Sequence, residues 1–315
     1  MHRRGLQGLS PLARGGILAP IGGRLTRGTV EANGLRFAHL EAGSGPLALC
    51  LHGFPDSPFA FRHLLPALAG AGYRAVAPFM RGYAPTEAPA GGRVQPRDLV
   101  EDTLALHEAL GGGPDAVLIG HDWGAAAAYG AAPAAPDRWR RVVALAVPPA
   151  AVYARFAFDY EQVKRSFYFW FLQMDVAEPV VAADDLRFLG GLWADWSPGY
   201  DAAEDLAYVR DCLREPANLR AALGYYRKFF GPAYFGSPAA AAEIAALWGR
   251  PTPQPALYLH GRDDGCMALD DDLLAAVPAA FGPRAEAAWV DGAGHFLLVE
   301  RPDEVNRRIL EFLAG

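Results

Sequence analysis

Five consecutive residues, Gly120-His121-Asp122-Trp123-Gly124, combine a carboxylate with the small flanking residues that a strained turn requires. The apolar run Ala116-Val117-Leu118-Ile119 leads into them, and an alanine run from Ala125 to Ala128 leads out. A strand, a tight turn with a glycine on either side and a helix together make a nucleophile elbow, in which the central side chain is thrust above the sheet edge. Ser is the usual central residue; here it is Asp122. A carboxylate is unsuited to ordinary acyl transfer, but it can attack a saturated carbon and form an ester with it. Asp264, within His260-Gly261-Arg262-Asp263-Asp264-Gly265, and His295, within Asp291-Gly292-Ala293-Gly294-His295-Phe296, complete a set in the order nucleophile, acid, histidine. The acid would fix the tautomer of the histidine and steady its imidazolium. Each residue alone has a plainer reading, such as a helix N-cap for Asp122 or a turn residue for Asp264. It is their joint order, each just past an apolar strand, that points to catalysis.

His52-Gly53-Phe54-Pro55 follows an earlier apolar run, Leu47-Ala48-Leu49-Cys50-Leu51. An oxyanion hole takes one backbone N–H from the residue after the nucleophile, here Trp123, and one from such a loop, here Phe54. The tetrapeptide is a weak signal alone and a specific one beside the elbow.

The elements that must position these residues alternate. Asn33-Gly34 marks a hairpin within 29–43, and 75–78 forms a second buried strand. A helix is expected over 59–70, and the clearest one over 97–110, where Leu99, Thr103, Leu106 and Leu110 share a face. Strands are expected at 116–119, 141–147, 257–259 and 287–290, and a last helix at 302–313. This rhythm predicts an α/β fold, a mostly parallel central sheet with helices on both faces. Between about 149 and 249 the strand signals stop and aromatic, helical patterns take over. The expected organisation is a core of 29–148 and 250–315 with an inserted helical cap domain at 149–249, preceded by a flexible Arg/Gly-rich extension at 1–28.

The chain has 315 residues and a formal net charge of −6, with no basic tract to serve as a nucleic-acid footprint. The 1–28 segment lacks the uninterrupted apolar core of a secretory signal. No run approaches the ~18 apolar residues that span a bilayer, so no membrane association is expected. The three cysteines, Cys50, Cys212 and Cys266, are far apart and form no metal-binding spacing. They read as buried small residues in a reducing, cytoplasmic setting.

The four motifs at 52–55, 120–124, 261–264 and 292–295 together resemble the epoxide hydrolase and haloalkane dehalogenase branch of the α/β-hydrolase superfamily. The resemblance covers roughly residues 29–315. Arg81-Gly82-Tyr83-Ala84-Pro85-Thr86 resembles a further, structural stretch of that branch, departing from it at Ala84 and Thr86. Epoxide hydrolases use two cap tyrosines to stabilise the developing alkoxide. The resemblance assigns these to Tyr168, in Tyr168-Phe169-Trp170-Phe171, and to Tyr226 rather than Tyr225, because Tyr226 directly precedes Arg227. It implies a catalytic set of Asp122, His295, Asp264, Tyr168 and Tyr226, an oxyanion hole from Phe54 and Trp123, and a pocket bounded by His52, Phe54, Trp123 and Trp170. No cofactor or metal is implied. The partners are a small apolar epoxide and water, and a homodimer is compatible with the sequence. The aromatics Phe167, Phe169, Trp170, Phe171, Trp193 and Trp196 favour an apolar substrate. Haloalkane dehalogenases hold the halide with the tryptophan after the nucleophile and a second N–H donor. Trp123 supplies the first, but Phe54 has no side-chain donor. A non-catalytic small-molecule receptor on the same fold is the remaining alternative, and it has no need of all five groups.

Overall fold

Asn33 and Gly34 both take positive φ, 43° and 74°, the left-handed pair that a two-residue hairpin turn needs. They join β1 (Thr26–Ala32) to β2 (Leu35–Gly43), paired antiparallel from Thr26 opposite Glu41 to Ala32 opposite Leu35. The computed structural model describes residues 25–90 and 94–315. Most of the 1–28 segment therefore lies outside the described residues, and β1 already begins at Thr26.

The remaining strands are β3 (Leu47–Leu51), β4 (Arg74–Pro78), β5 (Val117–His121), β6 (Arg141–Leu145), β7 (Ala256–Gly261) and β8 (Ala285–Val290). They form one eight-stranded sheet in the order β1-β2-β4-β3-β5-β6-β7-β8, parallel from β4 onward. Every residue of β3, β5 and β7 is buried, as continuous apolar runs covered on both faces require. Asp122, Asp264 and His295 follow the carboxyl ends of β5, β7 and β8, so the topology brings all three to one edge.

Helices α1 (Leu64–Gly70), α2 (Pro96–Ala109) and α3 (Trp123–Ala134) lie between the first strands. The single helix expected over 59–70 is in fact two pieces, a 3₁₀ turn at Pro58–Phe61 and then α1. Pro66 explains the break: it has no N–H to offer the Arg62 carbonyl, and its ring would clash with that carbonyl in a continuous helix.

Between β6 and β7 the chain is helical: α4 (Ala150–Tyr153), α5 (Tyr160–Arg165), α6 (Phe167–Phe171), α7 (Ala177–Trp196), α8 (Ala203–Leu213), α9 (Pro216–Phe229) and α10 (Pro238–Trp248). α7 is interrupted at 183–186, where Asp184, Asp185 and Leu186 take positive φ. α11 (Asp271–Phe281), α12 (Leu297–Glu300) and α13 (Pro302–Ala314) complete the fold. α1 packs with α13 and α2 with α3, giving helices on both faces of the sheet. The helical insertion is tied to the core by a buried ion pair, Arg62 Nη1 to Asp205 Oδ1 at 2.6 Å, and Tyr200 donates to the other oxygen of Asp205. No described helix is long and apolar enough to cross a membrane.

Candidate active site

Asp122 sits between β5 and α3 with φ 52° and ψ −118°, a conformation an L-residue rarely adopts. Its neighbours make the turn possible. A Cβ on Gly120 would come within 2.2 Å of the Gly124 carbonyl oxygen, and one on Gly124 within 2.0 Å of the Leu51 carbonyl oxygen. Both approaches are to backbone, which cannot swing aside, so only glycine fits. Asp122 is left 4 % exposed, and the Phe54 N–H donates to its Oδ1 at 2.7 Å. Trp123 is the first residue of α3, where a backbone N–H has no acceptor within the helix. The Phe54 N–H, one of the two donors expected around an oxyanion, thus lies on the Asp122 carboxylate, and Trp123, the other, is next to it in the chain.

His295 Nδ1 donates to Asp264 Oδ2 at 3.0 Å, and His295 Nε2 lies 3.6 Å from Asp122 Oδ2. The first is a hydrogen bond; the second is an ion-pair distance beyond one. The other Asp264 oxygen accepts the N–H groups of Cys266 at 2.6 Å and Met267 at 3.0 Å. Burial would raise the Asp264 pKa, but the His295 charge and these hydrogen bonds reverse that and hold it below the usual range. Burial would likewise lower the His295 pKa. The negative charge of Asp264 and the proximity of Asp122 outweigh it and push His295 up to about 10. Asp264, Cys266 and His295 also gather three potential metal-ligand atoms within 4.8 Å. Two of the three are already bonded to each other, and burial holds the Cys266 thiol far from its thiolate. Acid and base to one another is the role that arrangement fits.

Tyr168 and Tyr226 face each other across the site, ring centroids 5.3 Å apart, both lining the same cavity as Asp122. Burial raises both phenols well above their ordinary pKa, so they remain hydrogen-bond donors at neutral pH. The Tyr226 ring packs edge-on to Phe54 and Trp123. Tyr225, one residue earlier on α9, points away and donates to the Arg81 carbonyl at 3.0 Å.

The cavity measures about 380 Å³, and among the described residues its polar side chains apart from Asp122 are hydroxyls and the Trp123 and Trp248 indoles. Of the four residues expected to bound it, only Trp123 does so. His52 is fully buried, donating from Nδ1 to Gly53 O and accepting the Met80 N–H at Nε2, so it braces the 52–55 loop. Phe54 contributes its backbone, with its ring packed behind Tyr226. Trp170 lies on the outer side of α6 against Phe230 and Phe235. Of the aromatics expected to make the site apolar, Phe169 lines the cavity, whereas Trp193 and Trp196 pack against Phe296 and His295.

Sequence reading also missed two supports. The Trp196 carbonyl accepts both the Gly265 and the His295 N–H, each at 3.0 Å, fastening the acid and histidine loops to the end of α7. Cys266, read as a bland buried residue, has its Sγ 3.6 Å from the Tyr168 hydroxyl. Neither carries a local sequence signal, because each contact joins segments about 70 to 100 residues apart.

A family model described as alpha/beta hydrolase fold matches residues 46–302. A protein named epoxide hydrolase from Caballeronia sordidicola is 31% identical over 316 residues, covering 90% of this chain and 92% of that one. Epoxide hydrolase A of Mycobacterium tuberculosis is also 31% identical, over 93% of this chain and 98% of its own. The chain belongs to the epoxide hydrolase branch of the α/β-hydrolase family. Among solved structures, an epoxide hydrolase from an endophytic Streptomyces superposes on this hydrolase with a TM-score of 0.74 at 30% identity, over 92% of this chain and 96% of that one.

Proposed function

We propose that this hydrolase converts epoxides to vicinal diols through a covalent ester on Asp122, beneath a helical cap formed by residues 149–249. The observation that carries the reading is the meeting of an elbow carboxylate, a histidine–carboxylate pair and two buried phenols in one apolar cavity. Asp122 Oδ1 is held by the Phe54 N–H, which leaves Oδ2 to attack a ring carbon. As that bond forms, the bond from the same carbon to the ring oxygen breaks. The developing alkoxide takes a proton from Tyr168 or Tyr226, and the tyrosine recovers one from solvent. The product of this step is a hydroxyalkyl ester on Asp122.

Ester formation removes the negative charge that helps keep His295 protonated, so its pKa falls and the neutral imidazole becomes available. Held by Asp264, it takes a proton from a water that attacks the Asp122 Cγ. The oxyanion forms at Oδ1, between the N–H groups of Phe54 and Trp123. Collapse breaks the bond from Cγ to the alkyl oxygen, which takes a proton from the imidazolium of His295 and leaves as the diol; the new carboxyl then gives its proton back to His295, regenerating the carboxylate.

Two variants divide the pathway. Asp122→Ala is expected to abolish diol formation, and His295→Gln to form the ester and then stall. Intact-mass spectrometry of His295→Gln with styrene oxide should show the adduct mass retained on the peptide containing Asp122. Turnover by Asp122→Ala near the native rate would remove the nucleophile assignment. Hydrolytic dehalogenation uses the same nucleophile, and halide release from haloalkanes without diol from epoxides would favour it.

A further inference from the structure

The cavity is one-sided. Its walls come from residues that follow β5, β6 and β7 and from the helical insertion, and none from the described residues before Asp122. On the β3 and β4 side of Asp122, protein fills the space. The Gly53 backbone presses against the carboxylate, a Cβ there falling 2.2 Å from Asp122 Oδ1. Behind it Trp193 stacks on Phe296 at 3.4 Å and bonds the Pro55 carbonyl, and Phe59 stacks on Tyr208 at 3.9 Å. At the far end the lining residues Ala154, Phe158, Gly236 and Ala241 are exposed, Phe158 by 70%. The cavity is therefore a dead-end passage with its mouth between α4 and α10 and Asp122 at its floor.

Resting on the activity proposed above, we propose that the substrates selected are monosubstituted epoxides, with one ring carbon bearing a long apolar chain and the other only hydrogen. The oxirane enters first and its chain trails toward the mouth. Only the mouth side can receive a chain, so a second large substituent projecting the opposite way meets Gly53 and the aromatic stack behind it. Small residues such as Ala126, Ala157 and Ala240, set against Phe229 and Trp248, leave a channel suited to methylenes. Among the described residues, no charged side chain other than Asp122 lines it. Near the mouth, Ser237 Oγ already accepts the Ala240 N–H.

Two isomers of equal carbon count separate shape from hydrophobicity. Diol formation by the native protein from 1,2-epoxydecane should exceed that from trans-5,6-epoxydecane by about 10²-fold in kcat/KM, four methylenes at about threefold each. Across 1,2-epoxyalkanes from butane to octane, kcat/KM should rise about threefold per methylene. Ala157→Trp, which narrows the passage away from the reacting groups, should flatten that rise. Equal or faster hydrolysis of the trans isomer, or no dependence on chain length in the native protein, overturns the proposal while leaving the activity intact. No diol from any of these epoxides removes the activity and the substrate class together.

Discussion

At the scale of single residues, orientation decides what the motif letters leave open. Tyr225 and Tyr226 are chemically identical neighbours, yet a step of one residue on a helix turns the side chain by about 100°. Tyr226 faces Asp122's cavity, and Tyr225 bonds the Arg81 carbonyl. Tyr226→Phe should slow ester formation about 10²-fold, the scale of a lost proton donor. Tyr225→Phe should leave that step within a few-fold and register in thermal stability instead. Rapid-quench measurement of the ester separates the two, and the reverse ranking would exchange their roles. The His295 environment gives a second expectation. Its raised pKa depends in part on the Asp122 charge, which the ester lacks. Ester hydrolysis should therefore quicken as pH rises over a range below the value of about 10 that holds while Asp122 is charged, because Asp264 still raises the histidine and Asp122 no longer does. Burst experiments should find more accumulated ester at low pH than at high. Equal accumulation throughout would mean that His295 does not serve as the base.

Elements with strong local signals were legible, and those shaped by a distant partner were not. The elbow could be read because an apolar run, two glycines and an alanine helix are all contiguous around Asp122. The hairpin at Asn33-Gly34 could be read for the same reason. The split between the 3₁₀ turn at Pro58–Phe61 and α1 turns on one proline, Pro66, inside an otherwise helical pattern. Trp196 could be read as an aromatic of the insertion, but its carbonyl's hold on the Asp264 and His295 loops could not. The glycines of the elbow are a demand of the turn itself. Gly124→Ala places a Cβ 2.0 Å from the Leu51 carbonyl oxygen, and neither backbone can yield without displacing β3 or α3. A loss of about 3 kcal/mol in unfolding free energy is expected, together with loss of activity. Urea denaturation would measure it, and a native-like midpoint would show that the turn tolerates a side chain.

For the whole molecule, the α/β rhythm and the helical run at 149–249 were apparent from composition and periodicity. The direction of the cavity was not. It depends on how the insertion helices pack on the core, and α7 and α8 do so through Trp193 on Phe296 and Tyr208 on Phe59. The Arg62–Asp205 pair that fastens α8 to the core joins residues 143 apart in sequence. An Asp122 ester is tested most directly by single-turnover hydrolysis of styrene oxide in ¹⁸O-labelled water, with protein in excess. Water attack on the ester carbonyl predicts unlabelled diol in the first turnover and ¹⁸O in the peptide containing Asp122. Label in the first-turnover diol, with none in that peptide, would mean that water attacks the epoxide directly and that Asp122 is no nucleophile.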